Sequence, residues 1–252
     1  MNMKKLITAC LALVMAASAA ISASAASDAV LKGTPKIDGV MEEIWTQSYM
    51  LPRDTTNKGY TFGGAGEPYT VDFNSYYLWD DSYFYICTVV TDDDLVDVGA
   101  DTYKANPTQW LSDAVETGFN MTDKATKFKV HTDAFGHALY IGDGTAPFTV
   151  DEIKHAVKTN KDGYVLEIAF PLDDVKKIMK DDKVIIRTQV NDISKKEVGV
   201  VLYTKTVNLP LSDTAVVMPK EPAKAPATAD PALFTLAAAA GALFVAKKAR
   251  KH

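Results

Sequence analysis

Cysteine is nearly absent. The 252-residue chain has two, Cys10 and Cys87, and the first falls in a leader-like segment, which excludes an internal disulfide and a thiolate metal cluster. Cys87 sits inside an apolar alternating run and is expected to be a buried small hydrophobe. Tryptophan is also sparse, with three residues, Trp45, Trp79 and Trp110. Acidic residues are plentiful, yet no motif singles out the pair of carboxylates that would have to flank a glycosidic bond, so nothing marks a hydrolase. Basic residues are scarce through the middle of the chain. The whole chain carries 27 Lys and Arg against 32 Asp and Glu; setting aside Lys4, Lys5, and the six basic and two acidic residues from Lys220 onward leaves 19 against 30, a net of −11. That charge argues against nucleic acid and against anionic lipid as partners of the middle region.

The two ends carry the long hydrophobic runs. Lys4 and Lys5 precede an apolar stretch from Leu6 to about Ile21, and Ala23-Ser24-Ala25 offers small residues for cleavage before Ala26, so residues 1–25 are expected to be a secretory signal peptide. Ile7-Thr8-Ala9-Cys10 has the outline of a lipoprotein box, but Cys10 follows the lysines too closely to leave an apolar segment before it, and lipidation is not expected. Residues 216–230 are a Pro/Ala-rich linker, followed over 231–252 by an apolar run and the basic end Lys247, Lys248, Arg250, Lys251. About 15 apolar residues at 1.5 Å each cover roughly 22 Å, short of a hydrocarbon core of about 30 Å. A transient membrane stop fits that length. The order of elements resembles a Gram-positive cell-wall sorting signal, with Pro226, Thr228 and Asp230 of Pro226-Ala227-Thr228-Ala229-Asp230 standing where the family has Leu-Pro-x-Thr-Gly; the leucine and glycine are absent. A simple membrane anchor with its basic end inside is the alternative.

Residues 26–215 are long enough for one domain with a sizeable core. They read as strands. Val71 to Trp79 and Tyr83 to Val90 form an aromatic and β-branched hairpin turned by Asp80-Asp81-Ser82. Two-residue alternation recurs in Val115/Thr117/Phe119, Phe128/Val130, Ile153/His155/Val157, Tyr164 to Phe170 and Val184 to Val190. Only Leu172 to Met179 reads as helical. The expected fold is all-β, an antiparallel jelly-roll-like sandwich.

Alternation also assigns faces, because successive strand side chains point to opposite sides of a sheet. It sends Ile186, Thr188 and Val190 inward and Arg187, Gln189 and Asn191 outward; Lys129 and His131 oppose Phe128 and Val130, and Glu116 opposes Val115 and Thr117. If these strands are neighbours, Glu116, Lys129, His131, Arg187 and Gln189 form one polar patch of donors and acceptors suited to sugar hydroxyls. An ordinary solvated face is the alternative. Trp45, in a first strand region, and Trp79 are expected to pack in the core or at an edge, whereas Trp110 follows Pro107-Thr108-Gln109 in a loop-like position.

LKGTPKIDGVMEEIW, YLWDDSYFYICTVVTDDDL, WLSDAVE, FKVH, GYVLEIAFPL and QVND occur in the order seen in family 9 carbohydrate-binding modules, and the match covers nearly all of the middle region. The resemblance implies a non-catalytic β-sandwich that grips the reducing end of xylan- or cellulose-type glycans and usually accompanies xylanases and related glycoside hydrolases. It implies that Trp110 is one wall of an aromatic clamp and that Glu116 and Gln189 contact sugar. The family's Arg and Asn of F-R-V-N fall on Lys129 and His131. Its second clamp tryptophan has no counterpart in VLYTKTVNLPLSDTAVV, where Tyr203 is the nearby aromatic. Structural calcium is common in the family, and Asp92, Asp94 and Asp113 offer the oxygen ligands it prefers.

No oligomer signal is visible, so a monomer is expected; His137 and His155 are isolated and read as structural or surface residues. Two other readings stand beside glycan binding. A structural or protein-interaction domain would keep the sandwich without the clamp. A haem-binding relative of the DOMON group would recruit His131 with Met121.

Overall fold

A computed structural model of the chain describes residues 29–53, 60–61, 71–101, 112–137, 139–142, 144–194, 197–203 and 207–216. The strands in chain order are β1 (Val30–Lys32), β2 (Tyr49–Pro52), β3 (Tyr60–Thr61), β4 (Asp72–Trp79), β5 (Tyr83–Thr91), β6 (Ala114–Phe119) and β7 (Phe128–Asp133). They continue with β8 (Leu139–Gly142), β9 (Lys154–Asn160), β10 (Gly163–Pro171), β11 (Lys183–Ser194), β12 (Glu197–Tyr203) and β13 (Val207–Ala215). Short helices α1 (Glu43–Thr46) and α2 (Leu172–Ile178) lie among them. The signal, linker, sorting-like and tail segments fall outside the described residues.

The aromatic hairpin forms as its sequence requires. β4 and β5 pair antiparallel in unbroken register from Asp72↔Thr91 to Trp79↔Phe84. Asp80 makes the turn: its Oδ1 accepts the N–H groups of Ser82 and Tyr83 at 2.7 and 2.8 Å, and its Oδ2 accepts the hydroxyls of Tyr85 and Thr34 at 2.6 and 2.9 Å. The first sheet extends from this hairpin, with β2 on β4 and β10 then β9 beyond β5. β9 turns into β10 through Gly163, at φ +137°, where an added Cβ would lie 2.0 Å from the carbonyl oxygen of Val90. Only glycine fits there.

The second sheet is built on the long β11, which takes β13 along its first half and β12 along its second. Its other edge carries β6, then β7 and β8. β1 pairs with both β13 and β4, which joins the two sheets into one curled surface. Both of these pairings are parallel, whereas the other pairings among the described strands are antiparallel.

The core lies between the two inner faces. Phe73, Phe84, Ile86, Leu166, Ile168 and Phe170 meet Val115, Phe119, Phe128, Val130, Ile186 and Val190 there, all buried. Phe119 stacks on Phe128 at 4.8 Å and meets Phe170 edge-on at 5.2 Å across the gap. Removal of these rings from water is the dominant stabilising term, at about 2–3 kcal/mol per buried large apolar side chain. Thr188 also points inward, as its parity requires, and bonds Ser75 and the Tyr77 hydroxyl at 3.3 and 3.2 Å. Burial pushes the Tyr77 phenol up to about 12.

The outer face of the first sheet is covered by the N-terminal segment. Trp45, Leu78, Tyr85, Cys87 and Ala169 form a second, smaller core there. Trp45 therefore packs in a core as expected, but from the one-turn helix α1 and not from a strand, while Trp79 is buried at the sheet seam with its indole N–H donating to the Ser212 carbonyl at 3.0 Å.

Candidate functional site

β6 lies between β7 and β11, so the residues assigned outward by alternation become neighbours. His131, Glu116, Gln189 and Tyr203 are Cα partners in one row across four strands. Lys129, Gly118 and Arg187 form the adjacent row. The polar patch is thus a continuous surface of the second sheet. It is not a solvated face: Glu116, His131, Gln189 and Asn191 are 4%, 2%, 7% and 2% exposed. Burial on this scale requires the polar atoms to satisfy one another.

They do so in two groups. Glu116 receives Arg187 Nη2 on Oε1 at 2.7 Å and Lys129 Nζ near Oε2 at 3.0 Å, so cations from both flanking strands share one carboxylate. Gly118 separates these cations in sequence register and has no side chain to block either. In the second group Gln189 Nε2 donates to Asn191 Oδ1 at 3.0 Å. That orients the Asn191 amide so that Nδ2 faces His131 Nε2 at 3.1 Å. The amide nitrogen can only donate, so His131 Nε2 accepts and the imidazole is neutral with its proton on Nδ1. Burial, reinforced by the Lys129 charge, pushes the His131 pKa down to about 3.

Trp110 lies outside the described residues. Tyr203 is placed by its backbone opposite Gln189, and its side chain lies outside what is described. His155 is exposed on β9. His137 lies 3.2 Å from Asp133 Oδ2 and stacks on Phe135 with ring centroids 5.9 Å apart. The Asn191 bond occupies Nε2 of His131, which speaks against that nitrogen as an axial haem ligand.

The acidic residues that come together are Asp92, Asp113 and Asp192, with carboxylate oxygens all within 4.8 Å of one another. Asp94 is not among them; its backbone N–H donates to Asp92 Oδ1 at 2.9 Å. All three clustered side chains sit on core-facing positions at strand ends, Asp92 after β5, Asp113 before β6 and Asp192 on β11, so the cluster bridges the two sheets. Burial, reinforced by the neighbouring carboxylates, pushes Asp113 and Asp192 up to about 7 and raises Asp92. Asp113 accepts the N–H groups of Ile193 at 2.8 Å and Val96 at 2.5 Å. The Tyr164 hydroxyl, buried beside the cluster and raised by burial and by these carboxylates, has no hydrogen-bond partner among the described residues. Among the described residues no lysine or arginine pairs with the three acids. An oxygen-rich buried site of this kind fits a hard divalent cation such as calcium. Asp192 was within reach of the sequence: on the Ile186–Val190 alternation it points inward, and an inward carboxylate requires a partner.

A family model described as carbohydrate family 9 binding domain-like matches residues 37–207. Endo-1,4-beta-xylanase A of Thermotoga maritima is 27% identical over 183 residues, which are 70% of this chain and 16% of the enzyme. Exoglucanase XynX of Acetivibrio thermocellus is 25% identical over 175 residues, 68% of this chain and 15% of that protein. The chain thus spans about a sixth of the length of the curated relatives it matches. Among solved structures, a family 9 carbohydrate-binding module from Caldicellulosiruptor kristjanssonii in complex with cellotriose superposes with a TM-score of 0.53 at 17% identity, covering 77% of this chain and 98% of the module. The same module in complex with glucose gives 0.54 with 76% and 98% covered. The shared fold is the curled sandwich described above, and the family model spans its strands from before β2 to the start of β13; this chain belongs to the carbohydrate family 9 binding domain-like family.

Proposed function

We infer that the domain is a non-catalytic carbohydrate-binding module whose ligand-facing surface is the row His131–Glu116–Gln189 with Arg187, Lys129 and Asn191 around it. The observation that carries this reading is the row itself: acceptors and donors from three adjacent strands converge on one face, each held in a fixed orientation. A pyranose needs such paired groups for its equatorial hydroxyls and an aromatic wall for its C–H face; Trp110 is the proposed wall and Tyr203 the nearest aromatic in place of a second one. The related module's complexes with cellotriose and glucose and the xylanase relatives support ends of cellulose- or xylan-type oligosaccharides as the ligand class. The same relatives support association with glycoside hydrolases acting on the same polysaccharide.

Calorimetric titration with cellobiose, xylobiose and glucose tests the reading, with Trp110→Ala and Gln189→Ala beside the unaltered protein. Saturable binding reduced by both variants supports it. Absence of heat with every sugar favours the second reading, a structural or interaction domain, to which the deep burial of the polar row lends weight because a self-satisfied row also ties strands together.

Asp92, Asp113 and Asp192 are the proposed ligands of a structural calcium ion. It would offset two of the three negative charges of these buried carboxylates and bridge the sheets, with no part in any reaction. Terbium luminescence sensitised by nearby aromatics, competed by calcium and lost in Asp192→Asn, checks this. Export through residues 1–25 and retention at the bacterial surface by 226–252 complete the proposal, on the support of the sequence pattern alone. Mass measurement of the surface-extracted protein distinguishes cleavage after Thr228 from an intact membrane tail, and gel filtration of the mature protein checks the expected monomer.

A further inference from the structure

We propose that Arg187 is the positioning residue of the glycan face: together with Lys129 it immobilises the Glu116 carboxylate from both flanking strands, so that Glu116 and Gln189 present a preset pair of acceptors to two adjacent hydroxyls of one sugar ring. The inference rests on the glycan-binding reading and specifies how that face recognises its ligand.

A lone glutamate on a sheet has three rotatable bonds, and ordering it on ligand arrival opposes binding. Here the order already exists. Arg187 Nη2 holds Oε1 at 2.7 Å from β11, and Lys129 Nζ holds Oε2 at 3.0 Å from β7. Two such holds from opposite sides fix both the position and the plane of the carboxylate. Gly118 stands between Lys129 and Arg187 in the pairing of the three strands. A Cβ at Gly118 would lie 2.7 Å from Met121 Cγ and in ordinary contact, at 3.6 Å, with Arg187 Nε, so it is Met121 that fills the place of a side chain at 118 beside the Arg187 guanidinium.

A carboxylate has about four acceptor positions, and the two cations use one on each oxygen. The remaining positions stay with Glu116 in a fixed direction. Its cross-strand partner is Gln189, directly opposite on β11, and side chains of opposed residues stand about 5 Å apart at Cβ. Gln189 is itself fixed by the hydrogen bond that its amide Nε2 donates to Asn191 Oδ1. Adjacent equatorial hydroxyls of a pyranose match such a pair, one to Glu116 and the next to Gln189. Arg187 carries the larger share of the hold because its contact with the carboxylate is the shorter, 2.7 Å against 3.0 Å for Lys129.

The test is titration of the full chain and of Arg187→Gln and Arg187→Lys with glucose and with each monodeoxyglucose, alongside thermal unfolding. Arg187→Gln is expected to weaken glucose about tenfold, as loss of one charge-assisted hold would, and Arg187→Lys about threefold. The expected signature is a coupling: for the deoxyglucose lacking the hydroxyl that Glu116 receives, unaltered protein and Arg187→Gln bind equally, while for the others the tenfold loss persists. Lys129→Arg added to Arg187→Gln is expected to recover part of the affinity by returning a guanidinium to the same carboxylate. Equal losses on every sugar would mean Arg187 acts only through the fold and would overturn the inference, as would unchanged binding by Arg187→Gln. Should Arg187→Gln fail to fold, the same comparison is made with Arg187→Lys. If the unaltered protein binds no sugar at all, the glycan-binding reading falls and this inference with it, an outcome distinct from binding that ignores Arg187.

Discussion

The indole N–H of Trp45 donates to Oε1 of Glu167 at 2.8 Å, joining a one-turn helix to a central strand 122 residues away. The other oxygen of the same carboxylate accepts the backbone N–H groups of Asp38 and Gly39 at 2.8 and 2.7 Å. A fully buried acid thereby latches the N-terminal segment over the first sheet. Burial raises the Glu167 pKa, and the three donors are what make the buried carboxylate tolerable.

Removal of that acceptor leaves three donors unmatched, two of them buried. Glu167→Ala is expected to destabilise the domain by roughly 3 kcal/mol and Trp45→Phe by about 1–2 kcal/mol. Urea unfolding measures both; a loss under about 0.5 kcal/mol for Glu167→Ala would show that the latch contributes little.

The acidic cluster makes stability depend on pH in an unusual direction. Asp113 and Asp192 stand at about 7 in the fold, against about 3.9 unfolded. The folded state therefore holds protons that the unfolded state releases, and the metal-free protein is expected to lose stability as pH rises from about 4 to about 7, on the order of a few kcal/mol. Calcium replaces those protons and should abolish the loss. Unfolding midpoints across this range in chelator and in calcium check it; a chelated protein that gains stability from pH 4 to 7 would contradict the assignment.

His131 works in the opposite sense. Its folded pKa near 3 lies below the usual value of about 6.5, so only the unfolded state takes up a proton between them, and stability is lost as pH falls from about 6.5 toward 3. The stability difference between the unaltered protein and His131→Gln isolates this from the carboxylates. That difference should shrink on acidification below about 6.5; a flat difference would place the imidazole in a more hydrated setting.

These relationships were unequally legible in the sequence. The β4–β5 hairpin was readable because its period-two apolar pattern and its Asp80 turn are local. Face parity on β6, β7 and β11 was readable for the same reason. That β6 lies between the other two was not, since Glu116 and Gln189 pair across a long loop and nothing in either strand names its neighbour. The depth of burial was hidden as well, because Glu116, His131 and Asn191 read as solvated until the bonds of Glu116 with Arg187 and of His131 with Asn191 are seen. Helix α1 spans four residues, too few for a helical period. β1 spans three, too few to announce parallel pairing.

Gly163 offers a sharp local check. A methyl group there would overlap the Val90 carbonyl, so Gly163→Ala is expected to cost at least about 3 kcal/mol and to open the β9 edge first. Hydrogen exchange should show β9 amides losing protection ahead of β4; uniform protection would mean the turn relaxes without cost.

The parallel seam of β1 with β13 has a mechanical consequence. Val30 aligns with Leu211 and Lys32 with Ala215, so the chain enters the sandwich at one end of this seam and leaves at the other. Tension applied through the two ends would load the bonds between these strands in shear, all together, instead of peeling them one at a time. A domain pulled through both of its flanking segments would meet that force along the β1–β13 joint, strand sliding against strand.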